Sequence, residues 1–555
     1  MRNGSDNKFL IKNYIWFYPL ISAILMALSF PPFSIWPLGL VALVPYFFTL
    51  FKVQNGKQAL QSSFFMGTFL IYTGFYWVSD VAVNFGGLPW IVGKIILVAF
   101  SLFGEMQFLF FGLAFYYWFH RKQKTSDWIH VLVMGIFYVG FDYLYPKIFP
   151  NQIGHGLYGW FSFAQVAEIT GVPGVTFFLV IANAAFAFFL KNLFEKDGSV
   201  KNSIPLIVVV ATMILISVWG MRRVNEIEAR VVGFNKLIKL SMIQANIGDV
   251  DKLASESGLK SATDKVLATY RSLSEKTVKE FSPDLIIWPE TAYPLLYTNM
   301  QNLNANNSGS ARDQFILDLT KSLATPLIFG GYSTDGKKDY NTIFYVAPDG
   351  KLLGQYRKNI LLAFGEYVPL GPFGPLVQSI IPTIADFGRG LGPMVFEYKN
   401  RSGQSIRFSP QICYEGIDTD FTRACALKGV DFILNVTNDS WFGNSAEPYI
   451  HFMLTAFRAI ELRVPLVRTT NTGFSAVVDS TGKITQQSEL FKESVIESEL
   501  RLPTDEQKFP KTIYFLWGEW FGKTLGVLAI FLTMLLLIPK SSKRQRIRGR
   551  SIQTD

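Results

Sequence analysis

Residues 284–290 read Asp-Leu-Ile-Ile-Trp-Pro-Glu, an unbroken apolar run that ends in a Pro-Glu turn. A short apolar run bounded by turn residues is the pattern of a strand buried on both faces. It predicts a sheet covered by helices, with Glu290 delivered at a strand end. The same rhythm repeats on either side. Strands are predicted over 237–247, 326–332, 406–414, 431–436, 466–470 and 475–479, and a hairpin over 345–356 turns at Pro348-Asp349-Gly350. Amphipathic helices are predicted over 261–281, 311–323, 419–428 and 447–463. Strands alternating with helices over about 270 residues define an α/β domain large enough to hold its own core.

The remainder of the chain has another character. Of 555 residues 50% are hydrophobic, 15% aromatic and only 17% charged, whereas soluble domains carry about a quarter charged residues. Plentiful aromatics exclude disorder, and two Cys exclude a disulfide scaffold. A helix needs roughly 20 apolar residues to cross a bilayer. Eight stretches approach this: 14–30, 34–51, 59–81, 88–119, 128–145, 173–193, 204–220 and 524–538. The first is read as a retained anchor, not a cleaved signal, because a second follows within a few residues. The fold class is therefore a polytopic α-helical membrane domain of eight transmembrane helices plus the α/β domain. The boundaries expected are 1–220 for seven helices, 221–510 for the outer domain, 511–540 for the last helix and 541–555 for a basic tail.

Charge position sets the orientation. With the N-terminus inside, the short inner segments carry seventeen basic residues, six of them Lys540, Lys543, Arg544, Arg546, Arg548 and Arg550; the short outer loops carry only Lys147. That bias places both termini in the cytoplasm and the α/β domain outside. It also explains the net charge of +10 without a nucleic-acid partner. Asp80, Lys94, Glu105 and Asp142 lie in or near the spans, and Lys94 and Glu105 are about three helical turns apart, on one predicted helix face. Such charges serve either an ion pathway or the bundle interior and interface. No inverted repeat supports a transporter.

No nucleophile elbow, P-loop, H-E-x-x-H or zinc-spaced Cys pair occurs, and three of the four His (120, 130, 155 and 451) belong to the apolar part. No metal or cofactor is expected, and acid–base work falls to carboxylates or Lys. Three reactive residues stand at strand ends: Glu290, Lys358 in Tyr-Arg-Lys-Asn (356–359), and Cys413 in Ile-Cys-Tyr-Glu-Gly (412–416). Singly, each has an ordinary structural reading, as a helix cap, a surface charge and a small buried hydrophobe.

In this order, with Phe-Gly-Glu-Tyr-Val-Pro at 364–369, residues 237–500 resemble the nitrilase (carbon–nitrogen hydrolase) superfamily. With the flanking spans, and with 438–443 (Asn-Asp-Ser-Trp-Phe-Gly) and 468–473 (Arg-Thr-Thr-Asn-Thr-Gly), the whole chain resembles the bacterial membrane enzymes that N-acylate lipoproteins. The resemblance implies an αββα domain with Cys413 as nucleophile, Glu290 as general base and Lys358 as oxyanion stabiliser. It assigns support of Lys358 to Glu366 and a need for Tyr414 and Glu415, the N–H of Tyr414 being a further oxyanion donor. It implies a phospholipid acyl donor, phosphatidylethanolamine, and a diacylglyceryl apolipoprotein acceptor, used in turn through a Cys thioester. The enzyme would be a monomer in the bacterial inner membrane with a periplasmic catalytic domain. One departure stands out: the Trp that the family often has after the first strand is missing around 246–253. Cys425 is read as a packed thiol.

The stretch 370–392 interleaves Leu370, Phe373, Leu376, Ile380, Ile381, Ile384 and Phe387 with Pro and Gly, as either a membrane-dipping lid or a packed loop. A membrane-anchored amidohydrolase would use the same three residues and release its acyl group to water. A transporter or scaffold would not need them.

The orientation is open to direct measurement. An engineered cysteine beyond Lys540 is expected to resist a membrane-impermeant thiol reagent applied from outside, and one on the surface of 221–510 to react. Labelling of the tail from outside would reverse the assignment.

Overall fold

The computed structural model describes residues 4–84, 86–195, 203–298, 310–369, 371–374, 385–400 and 402–538. Among them, twelve strands form two six-stranded sheets. The first sheet holds β1 (Lys236–Gln244), β2 (Leu285–Ile287), β3 (Leu327–Thr334), β4 (Asp339–Val346), β5 (Leu352–Arg357) and β12 (Ser494–Leu502), in the order β12-β1-β2-β3-β4-β5. The second holds β6 (Phe396–Lys399), β7 (Ser405–Ile412), β8 (Phe432–Thr437), β9 (Leu466–Thr470), β10 (Ala476–Val478) and β11 (Ile484–Gln487), in the order β11-β10-β9-β8-β7-β6. Each sheet has three parallel strands at its centre, β1-β2-β3 and β7-β8-β9, with antiparallel strands outside them.

Period-two side-chain alternation builds the layers. In β2, Leu285 and Ile287 enter the core between the sheets, while Ile286 and the following Trp288 pack against Val266, Tyr270, Ile316 and Leu319 of helices Lys260–Glu280 and Ser310–Leu323. In β8, Phe432, Leu434 and Val436 face the same inter-sheet core, and Ile433 turns to helix Glu447–Leu462. Helix, sheet, sheet, helix is the αββα order that the resemblance implies, and it covers the sheets with helices as the apolar runs predict.

The apolar part departs from the predicted spans in instructive ways. Among the described residues four helices are long and apolar enough to cross a membrane: Asp127–Leu144, Val172–Phe194, Ile204–Val232 and Trp520–Leu537. The 88–119 stretch is not one helix. It forms Trp90–Ser101 and Gln107–Arg121, separated by a turn that packs its backbone onto helix Gly56–Gly74. Gly67 makes that approach possible, since a Cβ there would lie 2.5 Å from the Glu105 carbonyl oxygen. Likewise 34–51 is a 3-10 turn, Trp36–Leu40, followed by helix Val44–Lys52, and 59–81 breaks at Phe75. Helix Ile204–Val232 continues unbroken past residue 220.

These breaks overturn the shared helix face of Lys94 and Glu105. Lys94 is exposed, and Glu105 is buried at the turn. Glu105 instead joins Asp142 and Lys147: the Lys147 ammonium lies 2.6 Å from Asp142 and 3.3 Å from Glu105, and donates to the Asn151 carbonyl at 2.8 Å. Lys147, the one basic residue of the short loops expected to lie outside, is thus a buried ion-pair partner. Two carboxylates out of water need that cation. Lys147→Met is expected to cost about 3–5 kcal/mol by stranding them, whereas Lys94→Met should stay within about 0.5 kcal/mol. Thermal unfolding of both variants in one detergent ranks them, and equal losses would refute the ion-pair account.

Candidate active site

The two sheets bring three strand ends together. Glu290 follows β2 in a bend that lies on β3, and Thr291 after it has a φ of +51°. Gly330 of β3 lets this bend sit close, because a Cβ there would meet the Glu290 Cα at 2.6 Å. Lys358 comes directly after β5. Cys413 comes directly after β7, which ends at Ile412 and not at 414, and it opens the 3-10 turn Cys413–Ile417. Its φ of +50° puts a non-glycine residue in the left-handed region, a conformation that turns the side chain out of the strand.

Lys358, Glu290 and Glu366 form one buried charge set. The Lys358 ammonium lies 2.8 Å from Glu366 Oε1 and 3.5 Å from Glu290 Oε1. Asn341 Nδ2 donates to both carboxylates, at 2.7 Å to Glu290 and 3.1 Å to Glu366. The second oxygens accept from backbone: Glu290 Oε2 from Asn438 N–H and Glu366 Oε2 from Leu362 N–H, both at 2.8 Å. Burial opposes the Lys358 charge, but the Glu366 and Glu290 carboxylates outweigh it and raise the pKa. Burial raises Glu290, helped by Glu366 and opposed by Lys358. Burial, then the Glu290 charge, also pushes the Cys413 thiol well above its ordinary value, with Lys358 pulling it down. Burial thus favours the neutral thiol of Cys413, within electrostatic reach of Glu290 and Lys358.

Glu415 and Tyr414 play different structural parts. Glu415 is fully buried and its oxygens accept from Asn359 N–H (2.6 Å), Ile360 N–H (3.2 Å), Ile412 N–H (2.7 Å) and Tyr356 Oη–H (2.7 Å). It ties the segment after Lys358 to the residue before Cys413. Burial lifts its pKa to about 7 against the pull of these donors. Tyr414 points to the helical part, donating its hydroxyl to the Ile148 carbonyl, with its ring edge-on to Phe149 at 6.2 Å.

The sequence reading missed a second layer. The Cys413 carbonyl is 3.2 Å from Asn435 Nδ2, a donor, and 3.4 Å from His451 Nε2. Arg468 donates to Asn435 Oδ1 at 2.8 Å and to Asp439 Oδ2 at 3.0 Å, and Asp439 Oδ1 lies 3.1 Å from His451 Nδ1. His451, discounted as one of four scattered histidines, therefore lies beneath the nucleophile candidate. Its one available signal is its place on the helix that follows the 438–443 motif, in the apolar stretch 449–454. Asp439, Glu447 and His451 hold donor atoms within 4.8 Å of one another. The Arg468 guanidinium already fills the cation position there, 3.0 Å from Asp439 and 3.1 Å from His451 Nδ1, so the cluster does not suit a metal. Cys425 is buried on helix Thr419–Ala426, near Gln411. Of the 370–392 stretch, Leu370, Leu376, Ile380, Ile381 and Ile384 and the Phe373 side chain lie outside the described residues, and Phe387 stacks on Tyr332 at 5.7 Å.

An αββα sandwich with a carboxylate, an ammonium and a thiol at converging strand ends defines the carbon–nitrogen hydrolase class, and residues 239–507 match the family described as carbon-nitrogen hydrolase. Residues 22–185 match the apolipoprotein N-acyltransferase N-terminal domain. The apolipoprotein N-acyltransferase of Bdellovibrio bacteriovorus is 31% identical over 92% of this chain and 92% of its own, and that of Geobacter metallireducens 30% over 91% of each. A solved amidase from Nesterenkonia sp. overlaps 48% of this chain and 90% of its own at 16% identity and a TM-score of 0.34. The chain belongs to the apolipoprotein N-acyltransferase family, and it is an acyltransferase.

Glu415→Gln separates bracing from chemistry. An amide nitrogen placed among four donors leaves at least one of them unpaired, so this variant is expected to lose about 1–3 kcal/mol of stability. Denaturant unfolding checks it, and an unchanged midpoint would remove the bracing role.

Proposed function

We propose that the protein moves a fatty acyl chain from a phospholipid, phosphatidylethanolamine, to the α-amino group of a diacylglyceryl-cysteine apolipoprotein, through a thioester on Cys413. The observation that carries this reading is the buried Glu290–Lys358–Glu366 set at the strand ends that face Cys413. Glu290 takes the thiol proton as sulfur attacks the ester carbonyl, since thiolate is the reactive form. Lys358 and the Tyr414 N–H stabilise the oxyanion, and Glu366 holds Lys358 in place. The intermediate collapses, the C–O bond breaks, and Glu290 returns the proton to the departing lysophospholipid. The acceptor amine then attacks the thioester, Glu290 takes its proton, and the C–S bond breaks as Glu290 passes that proton to the departing sulfur, restoring the thiol. Donor and acceptor use one site in turn, a ping-pong course.

In this reading residues 1–220 and 511–540 form the membrane part, with eight transmembrane helices. Residues 221–510 are the periplasmic catalytic part, and 541–555 a cytoplasmic basic tail of a monomer in the inner membrane. Support comes from the charge bias and from exposed apolar faces such as Ile207, Ile214, Leu215 and Val218 on helix Ile204–Val232.

Intact-mass measurement of purified protein incubated with phosphatidylethanolamine tests the chemistry. Wild type is expected to gain one acyl group on Cys413, Cys413→Ala and Glu290→Gln none, and Lys358→Ala to acquire it about a hundred- to a thousandfold more slowly. An adduct in Glu290→Gln at the normal rate would remove Glu290 from the base role, and transfer by Cys413→Ala would end the thioester route.

A further inference from the structure

Helix Asp249–Glu256 lies in the segment where the family's Trp is missing, and it carries a lysine that the reaction above does not use. Lys252 is buried. The chain after β1 is held over the Glu290 bend by Asn471, whose side chain exchanges two hydrogen bonds of 2.9 Å with the backbone of Ile247. From there the Lys252 ammonium donates to Thr291 Oγ1 at 2.5 Å. It also donates to the Asn438 side-chain oxygen, in the amide orientation that equally accepts the Trp441 indole N–H at 2.8 Å. Its one carboxylate ion-pair partner among the described residues, Glu256, is 3.9 Å away and partly exposed. A buried ammonium held mainly by neutral acceptors is costly, and such residues concentrate at functional sites.

Both neutral partners bear on Glu290. Thr291 is the next residue, held at positive φ, and Asn438 donates its N–H to Glu290 Oε2. Glu290 and Lys252 also line one small cavity, with Thr291 and Asn471. The charged and titratable groups around Glu290 are then Lys358 and Glu366 after β5, Cys413 after β7, Lys252 and Glu256 from the short helix, and Tyr332 of β3, which donates to Glu256. Glu290 thus has the Lys358 ammonium at Oε1, while Lys252 reaches it through Asn438, whose N–H binds Oε2, and through Thr291.

We propose that Lys252 is a positioning residue for acyl transfer: through Thr291 and Asn438 it fixes the direction of the Glu290 carboxylate, and its charge favours the ionised form that accepts the thiol proton. The inference rests on the reading of Glu290 as base. Removing a nearby cation destabilises a carboxylate, so its pKa rises and more alkaline solution is needed to ionise it.

The test is the pH dependence of Cys413 acylation by phosphatidylethanolamine in detergent micelles, for wild type, Lys252→Met, Lys252→Gln and Lys252→Arg. The acid limb is expected to move up by about one pH unit in Lys252→Met and Lys252→Gln. It should stay in place in Lys252→Arg, which keeps the charge but disturbs the grip on Thr291 and Asn438 and so lowers the rate. Gln retains a donor, so it reports the charge effect even where Met unfolds the segment. An unmoved acid limb in folded Lys252→Gln overturns the proposal, whether activity falls through instability or through a raised KM for phospholipid. Glu290→Gln run alongside separates the two levels: if it acylates normally the base assignment itself fails, and if it is inert while Lys252→Gln shows no shift, only the role of Lys252 fails.

Discussion

Two carboxylates, Glu290 and Glu366, share the ammonium of Lys358 in the closed space at the ends of the sheets. Charges taken out of water are tolerated only when their remaining lone pairs and protons are satisfied. Here the satisfying groups come from separate parts of the chain: Asn341 from β4, the Leu362 N–H from the loop after β5, and the Asn438 N–H from the end of β8 in the opposite sheet. The set therefore does more than supply charge. It fixes how the loop after β5 folds and how the two sheets abut at this end, and Glu415 repeats the device from the side of Cys413.

The nucleophile candidate is gripped from two directions. Beneath it, the Cys413 carbonyl is tied into the Asn435–Arg468–Asp439 chain beside His451. Above it, Tyr414 reaches the 147–151 loop, which Lys147 pins to Asp142 and Glu105. Trp77 against Phe442, at 5.4 Å and edge to face, extends the same contact between the helical part and the 438–443 motif. A residue in the left-handed region persists only where its surroundings over-determine it, and Cys413 has such surroundings on both sides.

What the sequence conveyed follows from what apolar patterning can express. β2, buried on both faces, is legible as a continuous apolar run that delivers Glu290, whereas Lys358 and Cys413 follow strands of mixed character, Leu-Leu-Gly-Gln-Tyr-Arg and Ser-Ile-Arg-Phe-Ser-Pro-Gln-Ile, and are legible only through their order and the motifs around them. The outer strands β6, β11 and β12 carry half-exposed polar residues (Phe-Glu-Tyr-Lys, Ile-Thr-Gln-Gln) and give no comparable signal. The break between Ser101 and Gln107 is invisible to hydropathy, since Leu102 and Phe103 keep the run apolar while Gly67, on another helix, decides the turn. Lys252 and His451 stayed hidden for a related reason: each matters through partners more than a hundred or a few dozen residues distant in sequence.

Helix Ile204–Val232 passes from an apolar surface to a charged one without a break, and β1 begins four residues later. Its last twelve residues, 221–232, make a stiff post about 18 Å tall at 1.5 Å per residue. Glu226 pairs along it with Arg223 and Arg230, and Arg223 is moored to Glu168 of the helical part. Such a post is a ruler and a protractor at once. Each added or deleted residue would change the stand-off by only about 1.5 Å but swing the sheet by about 100° about the helix axis. The length of this segment is thus constrained less by distance than by phase, in whole turns.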